Sequence, residues 1–418
     1  MNTETKLWNK NFILYVVAFE LAAIGRSLLN FAIPVYILMT TDDPALFGVV
    51  MTLSWLPYVF FTMIGGGIAD RFCKRKVIVF GNFLIALTIS AYVILNGNLD
   101  TLMLSIVILI AAAAFESLQS ASFETTVYDI IPMDQLMRAN SVTWVLMIAS
   151  GVFAPIIAGF MLTHLGLEVI VYASLVLHLK AAGLNAFMKI PYEKPVSETG
   201  IFRTVSRDFE NAVKFVWQEE IFKKSTIAFF LYSLILFPIL FAIPAVLINV
   251  SLGMGETRLG FANGIISAGG ICGVVLLGRL GAQINIKTLP KLLIVSAIIQ
   301  LITTGAFMLT SGNIAYGFIV LGGLLVNTVL VMVSLIYFTY LGQNTPEDIV
   351  GKIMAFAMTI MMIGGAISQF VLGRLFNIFS NNLAMAALVL PIVVLLLLPL
   401  TKIKRTTLND PVMDKVSG

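Results

Sequence analysis

The sequence predicts an all-α protein that crosses a membrane twelve times, and three observations carry that prediction. The first is composition. Of 418 residues, 59% are hydrophobic and only 11% charged, with a mean hydropathy of +0.98, whereas a soluble domain carries roughly 25% charged residues. The second is run length. The apolar stretches are long and unbroken, without the alternation of a barrel strand, and a backbone in lipid must satisfy its own hydrogen bonds, so the runs are helices. The third is charge asymmetry. All but four of the 26 Lys and Arg fall in the termini and the even-numbered loops or at their edges, the exceptions being Arg26, Lys180, Arg258 and Arg374.

The apolar runs place spans at 11–38, 45–68, 77–96, 101–127, 140–163, 167–189, 225–249, 257–281, 289–310, 314–341, 352–376 and 382–401. The odd-numbered loops at 40–44, 96–100 and 310–313 contain no Lys or Arg. By the positive-inside rule, both termini are expected on the cytoplasmic side of the cell membrane. Met1–Lys10 is short and polar, and the apolar run after it is too long for the core of a signal peptide.

Span one carries Glu20 and Arg26. Glu20 lies near the bilayer centre at 1.5 Å per residue, and an ionisable group there is a functional candidate by default. Span two ends in Gly65, Gly66 and Gly67, followed by Asp70, Arg71, Lys74, Arg75 and Lys76. The glycines allow another backbone to come close, and the cationic turn anchors this loop on the basic side. In span four, Glu116, Ser120 and Glu124 recur at i, i+4 and i+8 and so share one helix face. Two carboxylates on one stripe suggest a cation-attracting or proton-carrying cavity wall. The competing reading is a structural ion pair between Arg26 and one of the glutamates. Lys180 and His178 in span six have no assigned role. Asn30, Gln119, Asn327 and Gln369 read first as interhelical hydrogen-bonding groups and second as solute contacts. Pro238 and Pro244 predict bends in span seven.

Between spans six and seven, Phe202, Val205, Phe209, Val213, Val216 and Trp217 recur at helical spacing opposite a charged face. That pattern predicts an amphipathic helix on the inner membrane surface. It divides the chain into a six-span bundle (1–189), a linker (190–224), a second six-span bundle (225–401) and a polar tail (402–418). The halves share a motif: Pro132, Asp134 and Arg138 in IPMDQLMRAN, and Pro346, Asp348 and Lys352 in TPEDIVGKIM. Identical spacing in corresponding loops supports an internal duplication.

At this point the chain resembles the major facilitator superfamily. Gly66, Asp70, Arg71, Lys74 and Arg75 match that family's pattern between spans two and three, with Cys73 in place of a glycine. Ser150, Ala154, Pro155, Ala158 and Gly159 resemble the small-residue and proline pattern of its drug-antiporter branch. The IPMDQLMRAN loop and the amphipathic stretch resemble the macrolide-efflux and enterobactin-exporter group. The resemblance implies two six-helix bundles around a central cavity lined by spans one and four. It implies a gate in which Asp70 meets the start of span eleven and Arg71 or Arg75 meets an acid at the end of span four, for which Asp129 is placed. The usual arginine of span four is absent from AAAAFESLQSA, so its coupling role does not carry over.

No catalytic set appears. There is no phosphate-cradling loop, His164 and His178 lack metal-ligand or triad partners, and Cys73 and Cys272 give no disulfide framework. The formal charge of +4 belongs to the loops and calls for no nucleic acid. The expectation is a non-enzyme without cofactor, working as a monomer with a small-molecule substrate, protons and the bilayer as partners. The resemblance implies proton-driven efflux of amphipathic drugs or siderophore-like compounds. The alternatives are an importer of a small metabolite or lipid-like compound, and a membrane sensor of transporter descent.

Overall fold

The computed structural model describes residues 7–69, 71–97, 100–191, 201–280, 285–346 and 349–401. Local capping chemistry sets the first helices. The α1 helix (Lys10–Thr41) starts where the Asn9 side chain accepts the Phe12 N–H at 2.9 Å. It stops where Asp42 turns left-handed at φ 50° and donates its N–H to the Leu38 carbonyl. The Asp43 carboxylate then accepts the Ala45 N–H at 2.8 Å at the start of α2 (Pro44–Ala69). The α3 helix (Lys74–Leu95) follows the basic turn, and Asp100 caps α4 (Thr101–Ile130) through the Leu102 N–H.

The α5 helix (Leu136–Ala186) is 51 residues long but breaks at Gly166, whose φ of 80° and ψ of 172° lie where side-chain-bearing residues are strained. Such a length unbroken would reach roughly 75 Å against a hydrocarbon core of about 30 Å, so the break makes two limbs of it, spans five and six. Eleven helices among the described residues are long and apolar enough to cross a membrane. One of them is this doubled helix, which makes twelve crossings.

The second half begins with α6 (Ile201–Gln218) and α7 (Glu220–Phe237). Span seven continues through a π-helical stretch (Pro238–Ala242), the short α8 (Ile243–Ala245) and a second π-helical stretch (Val246–Ser251). Proline removes an N–H and crowds the preceding turn, and a widened turn relieves both, so the predicted bends at Pro238 and Pro244 take this form. Then come α9 (Gly255–Leu280), α10 (Leu289–Met308), α11 (Gly312–Asn344), α12 (Val350–Ile378) and α13 (Leu383–Leu397), with a 3-10 turn at Leu398–Thr401.

The shared motif folds alike in both halves. The Pro132 carbonyl accepts the Gln135 N–H at 3.0 Å, and the Pro346 carbonyl accepts the Ile349 N–H at 3.1 Å. Asp348 lies outside the described residues.

The amphipathic helix forms, and part of its apolar face packs on the bundle. In α6, Ala212 and Val216 are buried in the main core, and the Phe209 ring meets Phe356 of α12 at 5.5 Å. The helix touches α2 as well as α7 and α12, so protein covers its apolar face at Phe209, Ala212 and Val216, while Trp217 is exposed.

The two halves meet along two seams. In one, α2 lies against α12: a β-carbon at Gly48 would stand 2.7 Å from the Gln369 carbonyl oxygen and 2.7 Å from Gly373 Cα. Thr52 adds a hydrogen bond to the Ala366 carbonyl at 3.1 Å. In the other, the first limb of α5 lies against α9, with Gly159 against Gly260 and the Ile156 side chain over Gly264. The small residues of span five therefore serve close helix packing. Both seams lie toward the face opposite the basic loops, where Thr163 also hydrogen-bonds Glu256 at 3.1 Å.

Replacing Gly48 with Leu sets a side chain against backbone on the partner helix, which no rotamer change relieves. The expected cost is about 1–3 kcal/mol, read as a lowered melting temperature of the purified protein. Gly66→Leu enters open space, and its melting temperature should stay at the wild-type value.

Candidate functional site

The seams close one end of a cavity of about 400 Å³ between the halves. From the first half it is walled by Arg26, Asn30, Trp55, Tyr58 and Pro155, and from the second by Phe241, Asn263 and Ser267. Trp55 stands edge-on to Phe237 at 4.9 Å and tilted to Phe241 at 5.6 Å. That aromatic group bridges the halves just inside the α2–α12 seam.

Arg26 is the charged member of the lining. Its guanidinium is ion-paired and hydrogen-bonded to Glu116 of α4 and hydrogen-bonded to Tyr58 of α2. The Arg26 side chain is 33% exposed and that of Glu116 only 13%. Glu116 lies behind the arginine, lining a small adjoining recess that Arg26, Tyr58 and His178 share. The structure thus realises the competing reading, an ion pair between Arg26 and one of the glutamates, on the wall of a cavity. A guanidinium has five donor N–H groups, and two partners leave others for the cavity.

His178, 1% exposed, packs from the second limb of α5. Its Nδ1 lies 2.9 Å from the Ser174 carbonyl, and the Ser174 hydroxyl donates to the Gly25 carbonyl at 3.0 Å. A β-carbon at Gly25 would stand 2.8 Å from His178 Cε1, so the missing side chain at Gly25 admits the ring next to Arg26. Sequence reading left His178 without a role and passed over Tyr58 and Trp55. Their only signal was aromatic residues at i and i+3 on span two, which packing explains equally well.

The other site residues are spread apart. Glu20 accepts a hydrogen bond from Ser150 of α5, and its second oxygen is buried with no partner among the described residues. Ser120 bonds back to the Ser117 carbonyl at 3.0 Å, and Glu124 is exposed. The three-residue stripe on span four is therefore divided, and only Glu116 joins the cavity group. Lys180 is exposed rather than turned inward. Gln119, Asn327 and Gln369 make buried interhelical hydrogen bonds, to Asn82 at 3.1 Å, the Ile266 carbonyl at 2.8 Å and the Phe237 carbonyl at 2.9 Å. Asn30 lines the cavity.

At the basic turn, Asp129 pairs with Lys74 at 2.7 Å, while Arg75 donates to the Met188 carbonyl at 3.2 Å. Lysine, not Arg75, holds the acid at the end of span four. The close backbone approach occurs at Gly65, where a β-carbon would stand 2.7 Å from the Ser117 carbonyl oxygen; Gly66 faces open space. Asp70 lies outside the described residues, and Arg71 is engaged in the described structure.

Two packed helical halves enclosing a polar-and-aromatic cavity are the arrangement of a solute transporter. The sequence profile of the Major Facilitator Superfamily matches residues 16–369, and the chain belongs to that family. No curated relative matches the sequence. Among solved structures, a bacterial homologue of the iron transporter ferroportin in its inward-facing state is 16% identical, with a TM-score of 0.67 over 94% of this chain and 98% of that one. The D-xylose–proton symporter is 13% identical, with a TM-score of 0.69 over 93% and 96%. A bacterial homologue of the human lysosomal transporter Spinster, inward-facing and unoccupied, is 13% identical, with a TM-score of 0.70 over 93% and 95%. At these identities the likeness is one of fold.

Removing either Arg26 or Glu116 strands a charge in a low-dielectric site. Arg26→Met alone and Glu116→Leu alone should each destabilise by about 3 kcal/mol. The double variant should recover most of that loss, as denaturation of the three purified proteins would reveal.

Proposed function

We propose that this protein is a secondary transporter that exports an amphipathic solute by alternating access, driven by protons. The observation that carries the reading is the cavity between the two halves, with Arg26 on its wall and Glu116 behind it. Its volume of about 400 Å³ falls within the range of small-molecule sites. Its aromatic and aliphatic lining favours an apolar body, and the spare guanidinium donors favour an acidic or hydrogen-bond-accepting group on it. A siderophore-like compound has that character.

Glu20 and Glu116 are the proton-carrying candidates. The buried Glu20 oxygen without a partner is a place where a bound proton finds an acceptor, and Glu116 is released when a solute anion takes its place on Arg26. Motion between states breaks the two glycine seams on one face. On the other face, the Lys74–Asp129 pair, the turn at Asp70, Arg71 and Arg75, and Gly66 form the opposing gate. Pro155 sits at the α5–α9 seam and on the cavity wall, so a bend there moves both. The basic face is taken as cytoplasmic by the positive-inside rule, and one chain with both halves forms a complete pathway as a monomer. Export rests on the likeness of span five to the drug-antiporter pattern.

In energised vesicles of known orientation, wild-type protein should move solute outward in response to a proton gradient. Glu20→Gln with Glu116→Gln should abolish gradient-driven flux. Unchanged flux in that double variant would refute the coupling assignment, and inward movement would establish an importer.

A further inference from the structure

A second concavity lies on the outside of the first half, remote from the central cavity. It is a groove of about 650 Å³ at the basic face between α3 and the second limb of α5. Arg75 and Lys76 stand at its mouth, Phe80 and Phe83 line one wall, and Leu179 and Gly183 the other. Phe80 is 61% exposed and Phe83 49%. The eight residue steps from Arg75 to Phe83 rise about 12 Å along the helix. The groove is therefore cationic at the membrane surface and aromatic one to two turns deeper.

The charges here are not used up by the protein. Asp129, the acid near this turn, is held by Lys74, and no carboxylate lines the groove. Arg75 gives a hydrogen bond to the Met188 carbonyl and keeps further donors. Lys76 and Lys180 are exposed and have no acidic partner among the described residues. Lys180 lies three residues from Gly183, about 60° around the helix, which puts it beside the groove wall. It lies eight residues before Met188, about 12 Å deeper than the Arg75 contact.

Gly183 keeps the groove open. A β-carbon there would meet nothing within 4 Å, so the glycine is required neither by packing nor by an unusual backbone angle. We propose that the groove between α3 and the second limb of α5 is a binding site for one anionic phospholipid, its phosphate held by Arg75 and Lys76 and an acyl chain laid against Phe80, Phe83 and Gly183. Charge complementarity selects the anionic headgroup, and the depth of the aromatic wall selects a lipid over a soluble anion.

The test is native mass spectrometry of the full-length protein released from nanodiscs of mixed phosphatidylglycerol and phosphatidylcholine. Wild type should retain phosphatidylglycerol in preference to phosphatidylcholine, with one preferentially held molecule per protein. Lys76→Gln should lower that preference roughly five-fold, from about 1 kcal/mol per basic residue at an anionic surface. Gly183→Leu should abolish the retained lipid by filling the groove while leaving both cations in place. Because it adds a good helix former in open space, its melting temperature should not fall. Equal retention of the two lipids by wild type would overturn the proposal. So would undiminished phosphatidylglycerol retention in Gly183→Leu, or loss of both lipids in Gly183→Leu with no effect of Lys76→Gln.

Discussion

Hydrocarbon offers no partner to a polar group, and the arrangement of this protein follows from where its few polar groups find one. A backbone in lipid must satisfy its amides inside its own helix or in a cap. Asn82 and Gln119 meet each other, while Asn327 and Gln369 reach carbonyls on neighbouring helices. The most demanding case is Arg26, which cannot shed its charge. It is answered by Glu116 from α4 and Tyr58 from α2, so one guanidinium ties three helices together. That junction also forms the cavity wall, because the groups that offset a buried charge are the ones that give the cavity its polarity.

The second organising feature is the pair of glycine seams. Helices in lipid gain little from burying apolar side chains against one another, so close backbone approach takes over as the source of attraction. Gly48 with Gly373, and Gly159 with Gly260, bring opposing backbones nearly into contact. The seams join span two to span eleven and span five to span eight, an exchange of equivalent positions between the halves. That exchange and the matching proline turns at Pro132 and Pro346 are two signs of one duplication. Contacts this close exist in full or not at all, which suits a structure that must separate its halves along a defined surface.

Much of the outline was legible because hydropathy and helix geometry act locally. The span limits agree with the helices to within a few residues, and the helices overrun the apolar runs because their ends rise into the headgroup layer. The break at Gly166 was legible as well, since no unbroken helix of that length fits a bilayer. The small residues of span five stood out in the sequence, and the structure sets Gly159 among them against Gly260. The amphipathic linker was legible as a helix, but not its contacts at Phe209, Ala212 and Val216, since a hydrophobic stripe records that something apolar lies against it and not whether that is lipid or protein.

By itself, the sequence determined the membrane environment, the helical spans, their duplication and the basic face, since these depend on composition and period along the chain. Tertiary structure alone decided that Arg26 meets Glu116 while Ser120 and Glu124 do not. It also decided that Lys74 rather than Arg75 takes Asp129, and that Gly65 rather than Gly66 lies against another backbone. Those choices depend on the rotation and approach of helices far apart in the chain. Periodicity names the face on which a residue sits, but which helix stands opposite that face is a property of the packed whole.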